Sequence, residues 1–190
     1  MNEPADIQLV QGVLRGDTRC EEALYRRFSV PMFRVCLRYA ANRDEARDLL
    51  QEGFLRVFAD LADYRGEGSL EGWIRRVVVR AALRWLRKRR VFEAFDDLSE
   101  TLATSPEETS VPSPHQDDMR LVTQLLQQLP PGYRTILNLH VIEGYSHEEI
   151  AGLLGINAGT SRSQLSKARA MLKKQLDGLR IADYGLRIAD

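Results

Sequence analysis

Residues 145–176 read YSHEEIAGLLGINAGTSRSQLSKARAMLKKQL, and this stretch decides the fold of the second half of the chain. Ser146, followed three residues later by Glu149, forms the capping-box pattern that predicts a helix start. Gly155 predicts a left-handed turn that ends this helix. A second helix then begins with small polar and basic residues, so the segment has the pattern of a helix-turn-helix motif.

The second helix of this motif has a basic exposed face. We expect it to bury Leu165, Ala168, Leu172 and Leu176 and to expose Arg162, Ser163, Ser166, Lys167 and Arg169. Residues 150–176 contain five basic residues and no acidic one. Because Arg and Lys can reach guanine edges and phosphates in a major groove, this face favours DNA contact over a merely solvated helix surface.

Charge is distributed unevenly along the chain, although 27 basic and 27 acidic residues cancel overall. Residues 65–90 carry nine basic and two acidic residues, a balance of +7. Residues 91–117 carry seven acidic residues and no Lys or Arg, a balance of −7. Two basic patches separated by an acidic insert indicate two polyanion contacts, while charge alone is equally compatible with solvated helix faces.

Composition divides the chain into two helical parts. Residues 93–117 are rich in Ser, Thr, Pro, Asp and Glu, which is typical of a linker. Both flanking parts have helical periodicity and no strand pattern. We therefore predict an all-α protein with two small helical domains, 1–90 and 118–177, joined by a flexible acidic linker, 91–117. The tail 178–190 nearly repeats a short peptide and is left out of the fold prediction.

Four helices are predicted in the first part. The first uses Ile7, Val10 and Leu14, and the second starts near Glu21. The third starts near Asn42 and buries one stripe: Ala46, Leu50, Phe54, Val57 and Leu61. The fourth is capped by Ser69 and has an apolar face of Leu70, Trp73, Ile74, Val77, Ala81 and Trp85, with Arg76, Arg80, Arg84 and Arg87 on another face. We expect Trp73 to lie in the core and Tyr64, in the loop before this helix, to be exposed.

Several function classes are disfavoured by composition. The chain of 190 residues has 44% hydrophobic residues but no apolar run long enough for a membrane helix, and its start, MNEPADIQ, does not resemble a secretory signal. Two Cys and three scattered His form no zinc-ligand set, so we expect no metal or cofactor and a reduced, cytoplasmic location. No nucleophile–base set or phosphate-binding loop is visible, so we do not expect an enzyme.

Three segments together identify a resemblance to a known family. They are EARDLLQEGFLRVF (45–58), YRGEGSLEGWIRRVVVRAALRWLRKRR (64–90) and LPPGYRTILNLHVIEGYSHEEIAGLLGINAGTSRSQLSKARAML (129–172). In order and spacing they resemble an extracytoplasmic-function sigma factor of bacterial RNA polymerase, in the sigma-70 family. The resemblance implies a region 2-like domain that binds core polymerase and melts the −10 promoter element, and a region 4-like domain that reads the −35 element.

The resemblance also implies partners and residue roles. The partners would be core polymerase (its clamp and its flap), promoter DNA and an anti-sigma factor. Clamp binding would use Asp48, Gln51 and Glu52, and the −10 element would contact Tyr64, Arg76, Arg80 and Arg84. The −35 element would contact Arg162, Ser163, Ser166 and Lys167, with Thr160 and Arg169 at phosphates. The family commonly has Asn where this chain has Arg80, and Arg can only donate hydrogen bonds, so the base read there is open.

Two other functions fit the same residues. The chain could be a stand-alone helix-turn-helix regulator whose residues 1–90 dimerise or sense, or an interaction protein that sequesters a partner through its first half. A regulator should bind its operator tightly alone, usually as a symmetric dimer. A sigma factor should bind promoter DNA weakly until it joins core polymerase.

Overall fold

The computed structural model describes residues 4–88 and 114–187, where all regular structure is helical. The chain separates into two compact units, Met1–Arg89 and Arg90–Asp190. In its described part the first unit contains α1 (Pro4–Leu14), α2 (Thr18–Leu37), α3 (Arg43–Ala59), a 3-10 turn (Leu61–Asp63) and α4 (Leu70–Lys88). The second contains α5 (Pro114–Gln127), α6 (Pro131–Leu137), a π-helical turn (Asn138–Ile142), α7 (His147–Leu154) and α8 (Ala158–Arg187). The all-α prediction is confirmed, and residues 91–113 of the predicted linker lie outside the described residues.

Helices α3 and α4 form the centre of the first unit. The stripe predicted for α3 is buried: Ala46, Leu50, Phe54, Val57 and Leu61. The Asn42 side chain accepts a hydrogen bond from the Glu45 N–H at 2.9 Å and caps α3. A Cβ atom on Gly53 would lie 3.1 Å from the Val78 side chain, so this glycine permits the close approach of α3 and α4. The Ser69 hydroxyl accepts from the Gly72 N–H at 3.1 Å and starts α4 as predicted.

The first two helices differ from the prediction in register. Helix α2 begins at Thr18 rather than Glu21, because the Asp17 carboxylate accepts from the Arg19 N–H and supplies the cap. Ile7 and Leu14 of α1 are exposed, and the buried face is formed instead by residues that include Val10 and Val13. Periodicity placed this face incorrectly because its direction is set by two tertiary contacts between α1 and α2: the Asp6–Arg27 ion pair at 2.7 Å, and the packing of Gly12 against Cys20.

The first described helix of the second unit begins four residues before the predicted domain boundary at 118. Helix α5 starts at Pro114 rather than Asp118, since proline is tolerated in a first helical turn, where its missing N–H has no partner to lose. Further on, the Glu143 N–H donates to the Asn138 carbonyl five residues back, which makes a π-helical turn. Val141 and Ile142 in this turn are 54% and 38% exposed, whereas Leu139 is fully buried.

Helix α8 is longer and less buried than predicted. Leu165 and Ala168 are buried as expected, but Leu172 is only half-buried and Leu176 is 45% exposed. The helix continues to Arg187 into the repeated tail, which the prediction had left out, because no proline interrupts it. None of the helices in the described part of the chain combines the length and apolarity that crossing a membrane requires.

Candidate nucleic-acid interface

The turn between α7 and α8 has the geometry that the sequence predicts. The Ser146 hydroxyl accepts from the Glu149 N–H at 3.2 Å, and the Glu149 carboxylate accepts from the Ser146 N–H at 2.8 Å. The hydrogen bond from the Ser146 N–H to this carboxylate, followed by one from the Ser146 hydroxyl at 2.8 Å, lowers the pKa of Glu149. Gly155 ends α7 in the left-handed region, with φ 70° and ψ 33°. The capping box and the glycine turn are confirmed, and they present the start of α8 to solvent.

Most of the predicted DNA-contacting residues of α8 lie on its exposed side. Arg162, Ser163, Ser166, Lys167 and Arg169 are all exposed. Thr160 is half-buried, and its carbonyl accepts a hydrogen bond from the Ser163 hydroxyl at 3.0 Å. The exposed face therefore combines three cations with two hydroxyls, one of which is turned onto the helix backbone.

Two consecutive residues of α7 contact two consecutive residues of α8. His147 Nδ1 lies 2.9 Å from the Oγ atom of the fully buried Ser161. One residue further on, Arg162 Nη1 lies 3.2 Å from Glu148 Oε1. A hydrogen bond from its own backbone N–H, followed by one from Arg162, lowers the pKa of Glu148. These paired contacts fix how α8 is rotated about its axis relative to α7.

His147 also stacks on a second histidine. The rings of His140 and His147 lie 4.3 Å apart with an interplanar angle of 14°. His140 Nδ1 lies 2.9 Å from the Tyr145 carbonyl, which can only accept, so this nitrogen carries the proton. Partial burial lowers the pKa of His147 first, and the neighbouring His140 and Arg162 lower it further.

The arginines of α4 do not form one uniform row. Arg76 and Arg80 are exposed, whereas Arg84 is half-buried. Arg84 lines a groove of about 350 Å³ between α3 and α4. The groove, called here the α3/α4 groove, is lined by Asp48, Gln51, Glu52, Leu55, Arg56, Ala81, Arg84, Trp85 and Lys88. The three residues predicted for polymerase binding thus share one groove with a residue predicted for DNA binding.

Tyr64 is less exposed than the sequence suggested. Its hydroxyl donates to the Gly68 carbonyl at 3.0 Å, and its ring centre lies 5.6 Å from that of Trp73. Gly66 and Gly68 have φ angles of 77° and 81°, which turn the loop back so that this bond can form. Trp73 is half-buried and not in the core as predicted. Its ring and the half-buried Tyr64 ring together form a partly exposed aromatic pair, called here the Tyr64–Trp73 surface.

Comparison with known proteins identifies the family. Residues 24–91 match the model of sigma-70 region 2, and residues 119–172 match that of sigma-70 region 4. The extracytoplasmic-function (ECF) RNA polymerase sigma factor SigE of Mycolicibacterium smegmatis is 34% identical over 158 residues, which are 82% of this chain and 61% of that relative. The RNA polymerase sigma-H factor of Pseudomonas aeruginosa is 30% identical over 188 residues, 94% of this chain and 97% of the relative. The chain belongs to the ECF sigma factors of the sigma-70 family.

A solved structure is also similar to this sigma factor. It is a complex of the sigma factor RpoE with the anti-sigma factor NepR from Bartonella quintana. The sequence identity is 24%, the TM-score is 0.46, and the match covers 78% of this chain and 92% of that one.

The sequence analysis did not predict the side-chain contacts between the two helices of the helix-turn-helix in this sigma factor. Glu148 and His147 each contact a residue 14 positions later, a separation with no signature in helical periodicity. Leu55 was not noted either, yet it is 60% exposed at the α3/α4 groove. Its position between the stripe residues Phe54 and Val57 did indicate that it faces away from the core.

Proposed function

We propose that this sigma factor directs RNA polymerase to a subset of promoters by reading two DNA elements, one with each unit. The observation that carries the proposal is the basic, exposed start of α8 behind a capped and glycine-terminated α7. This geometry suits insertion of α8 into a major groove. The protein acts as an initiation factor by binding, while bond formation belongs to the polymerase.

The −35 element is assigned to α8 in duplex form. Lys167 and Arg162 are long cationic side chains on its exposed side, so they can reach base edges. The hydroxyl of Ser166 is exposed beside them, whereas that of Ser163 already donates to the Thr160 carbonyl. Arg169, further along the helix, fits a phosphate contact that positions the motif without reading sequence. Thr160 is assigned to a phosphate as well, through its position in the first turn of α8.

The −10 element is assigned to α4 and the loop before it. Arg76 and Arg80 are exposed one helical turn apart and can follow a strand of phosphates or bases. Tyr64 contributes as part of the Tyr64–Trp73 surface, and its hydroxyl shapes the loop. Arg80 has donors only, so as a base reader it favours guanine, which offers two acceptors.

Core polymerase is assigned to the α3/α4 groove. Asp48 and Gln51 are exposed on α3, and Glu52 pairs with Arg56 at 3.5 Å on the same helix. Leu55 adds an exposed apolar side chain, so the groove combines charge with an apolar contact, as protein interfaces do. Arg84 belongs to both assignments, since it lines this groove and is also a member of the α4 arginine row.

The remaining partners and the location complete the proposal. We assign the clamp to the first unit, the flap to the second, and an anti-sigma factor as a regulator that competes for these surfaces. The cytoplasm is the compartment in which bacterial polymerase and promoter DNA are found. The domain boundaries proposed are 1–90 for the first unit, 91–117 for the linker and 118–177 for the second, with helix α5 beginning inside the linker range.

Footprinting with and without core polymerase tests the function. The holoenzyme should select two separated elements from a randomised duplex library and open the DNA at the downstream element, as read by permanganate reactivity of unpaired thymines. The full chain alone should give weak protection. A strong symmetric footprint from the chain alone would instead establish the stand-alone regulator, which is not favoured because both units match models of one sigma family.

A further inference from the structure

Glu148 occupies an unusual place for an acidic residue. Residues 150–176 contain no acid, so the carboxylate that pairs with α8 comes from the preceding helix. Its neighbour Glu149 is committed to the capping box with Ser146. Glu148 instead reaches Arg162 at 3.2 Å, in the second turn of the helix proposed to enter the major groove. A carboxylate placed there faces DNA phosphates unless it is offset by a cation.

The Glu148–Arg162 pair is unsuited to a stabilising role. The two side chains are 71% and 57% exposed, and exposed ion pairs add little to stability. The backbone around Glu148 is nevertheless held firmly, because His147 contacts the buried Ser161 at 2.9 Å and stacks on His140. The carboxylate therefore sits at a defined position beside Arg162.

We propose that Glu148 is a positioning and specificity-determining residue for the −35 element, acting through Arg162. The proposal rests on the assignment of α8 to duplex promoter DNA. Glu148 holds one guanidinium nitrogen and leaves the other N–H donors of Arg162 directed outward. It also repels phosphate, so that Arg162 is steered to a base edge rather than to the DNA backbone.

The pair has a definite preferred ligand, which is a G·C base pair. Guanine presents two adjacent acceptors, O6 and N7, to an arginine in the major groove. Arg162, held by Glu148 at one guanidinium nitrogen, matches this guanine edge with its outward donors. An A·T pair is less suitable, because its adenine N6 donor lies between the two acceptors, adenine N7 and thymine O4, so it lacks the adjacent acceptors that a bidentate arginine needs.

The test selects −35 elements with the full chain in holoenzyme, using a library randomised only at that element. Glu148→Gln is expected to reduce the G·C preference at one position by at least about fivefold, the lower end of the discrimination from one base contact. It is also expected to make the slope of log affinity against log salt more negative by about one unit, since the released Arg162 can neutralise a further phosphate. The matched control is Asp177→Asn, which removes one exposed charge from the same unit and should change neither quantity.

Further variants separate positioning from simple charge. Glu148→Asp keeps the charge but shortens the reach, so it should lose the base preference as Gln does; a wild-type preference with Asp overturns the positioning role. Combining Glu148→Gln with Arg162→Ala should select the same element as Arg162→Ala alone, whereas additive effects overturn action through Arg162. If Arg162→Ala itself selects the wild-type element, the assignment of Arg162 in the proposed function fails. An unchanged preference and slope in Glu148→Gln, with Arg162→Ala altered, refutes the role of Glu148 alone.

Discussion

Helices α4 and α8 are both basic and both assigned to DNA, yet they are embedded in opposite ways. Nine of the 19 residues of α4 are buried, including the consecutive Val77, Val78 and Val79, so this helix is part of a core. Over its described start, α8 buries only one narrow face, which includes Leu165 and Ala168, and exposes its cations. A helix that supports a core cannot enter a groove of duplex DNA without losing its packing, whereas a helix covered on one side can.

This difference separates how the two helices can recognise DNA. The arginines of α4 lie on the surface of a helix that is packed into a core. They therefore suit contact with a DNA strand that moves to them. The cations of α8 project from a helix that itself can dock. Substitutions should therefore affect stability in α4 and recognition in α8, and the predictions below test that division in order of decreasing effect.

The largest effect is expected from the core of α4. Ile74 is fully buried, so Ile74→Ala removes packed methyl groups and should lower the free energy of unfolding of the first unit by about 2–5 kcal/mol. Leu176→Ala in α8, at a 45% exposed position, should change stability by less than about 0.5 kcal/mol. Both tryptophans of the chain, Trp73 and Trp85, lie in α4, so tryptophan fluorescence in denaturant follows the first unit, while far-UV circular dichroism reports both units and follows Leu176→Ala. Equal losses in the two variants would contradict the comparison.

Charge reversal in the α3/α4 groove should remove a partner without unfolding the unit. Asp48→Arg is expected to weaken core polymerase binding by about 2 kcal/mol or more, as at charged protein interfaces. Because Asp48 is exposed, the melting temperature should stay nearly unchanged. Competition against wild type for core polymerase measures the first quantity. Undiminished competition by Asp48→Arg would remove this residue from the interface.

The recognition side of the comparison is tested at Lys167. Lys167→Ala should cost about 1–3 kcal/mol in binding the −35 element and relax the preference at one position if the lysine contacts a base. If it contacts phosphate, the affinity for all sequences should decrease alike. The slope of log affinity against log salt should then become less steep by about one unit. Lys173→Ala, exposed on the same helix, is the matched control. Equal transcription by Lys167→Ala from wild-type and altered −35 elements would exclude base reading.

Arg80 tests whether α4 reads bases at all. Arg80→Asn should shift the preferred base at one position of the −10 element, by about 1–3 kcal/mol, if Arg80 reads guanine. A backbone contact predicts a uniform loss of affinity with no change in preference. Selection from promoters randomised at the −10 element distinguishes the two. If Arg80→Asn and wild type select the same consensus, Arg80 contacts only the backbone of the strand.

The smallest effect is a pH dependence of the second unit. The fold lowers the pKa of His147 below its ordinary 6.5, so the unfolded chain takes up this proton first as the pH falls. The contribution is therefore complete above about pH 6.5 and declines below it, until the folded His147 is also protonated. The charged or titratable groups that act on His147 are His140, Glu148, Arg162 and Arg169.

The measurement compares melting at about pH 7.5 and about pH 5.5, a range that spans histidine titration. Wild type should lose more stability in the second unit than His147→Asn, which offers the Ser161 hydroxyl an amide in place of the titrating ring. Tryptophan fluorescence reports the first unit as an internal reference, and far-UV circular dichroism reports both. Identical pH slopes in the two proteins would show that the stacked ring does not titrate differently on folding.

Local signals were sufficient to predict much of this fold. The capping box at Ser146, the turn at Gly155 and the α3 stripe depend on residues within a few positions of each other, and all three are confirmed. The basic face of α8 was predicted from local sequence as well. Its apolar residues indicate the buried face, and the remaining residues of this acid-free run are polar or basic. Contacts that close over longer separations could not be predicted in this way.

The predictions that were wrong concern how far neighbouring elements bury a helix face or a loop. They do not concern which residues lie on the same face. Tyr64 was expected to be exposed, but the turn made by Gly68 brings a carbonyl within reach of its hydroxyl. Arg84 follows Arg80 by one turn, yet it is half-buried, because it lies beside α3 residues in the α3/α4 groove. Leu176 continues the α8 stripe but is 45% exposed, and α5 lies beside Gln175 and Gly178 instead. In each case the missing information was the position of a neighbouring element.

The π-helical turn at Asn138–Ile142 has a consequence for insertions and deletions in this chain. Each residue of an α-helix advances the side-chain direction by about 100°, so one residue more or less in this turn changes the direction in which the chain leaves the helix toward α7. Removing Val141 would restore ordinary helical spacing while swinging His140 out of step with His147, although the deleted side chain itself is 54% exposed. At this point in the chain, residue count is constrained more tightly than residue identity.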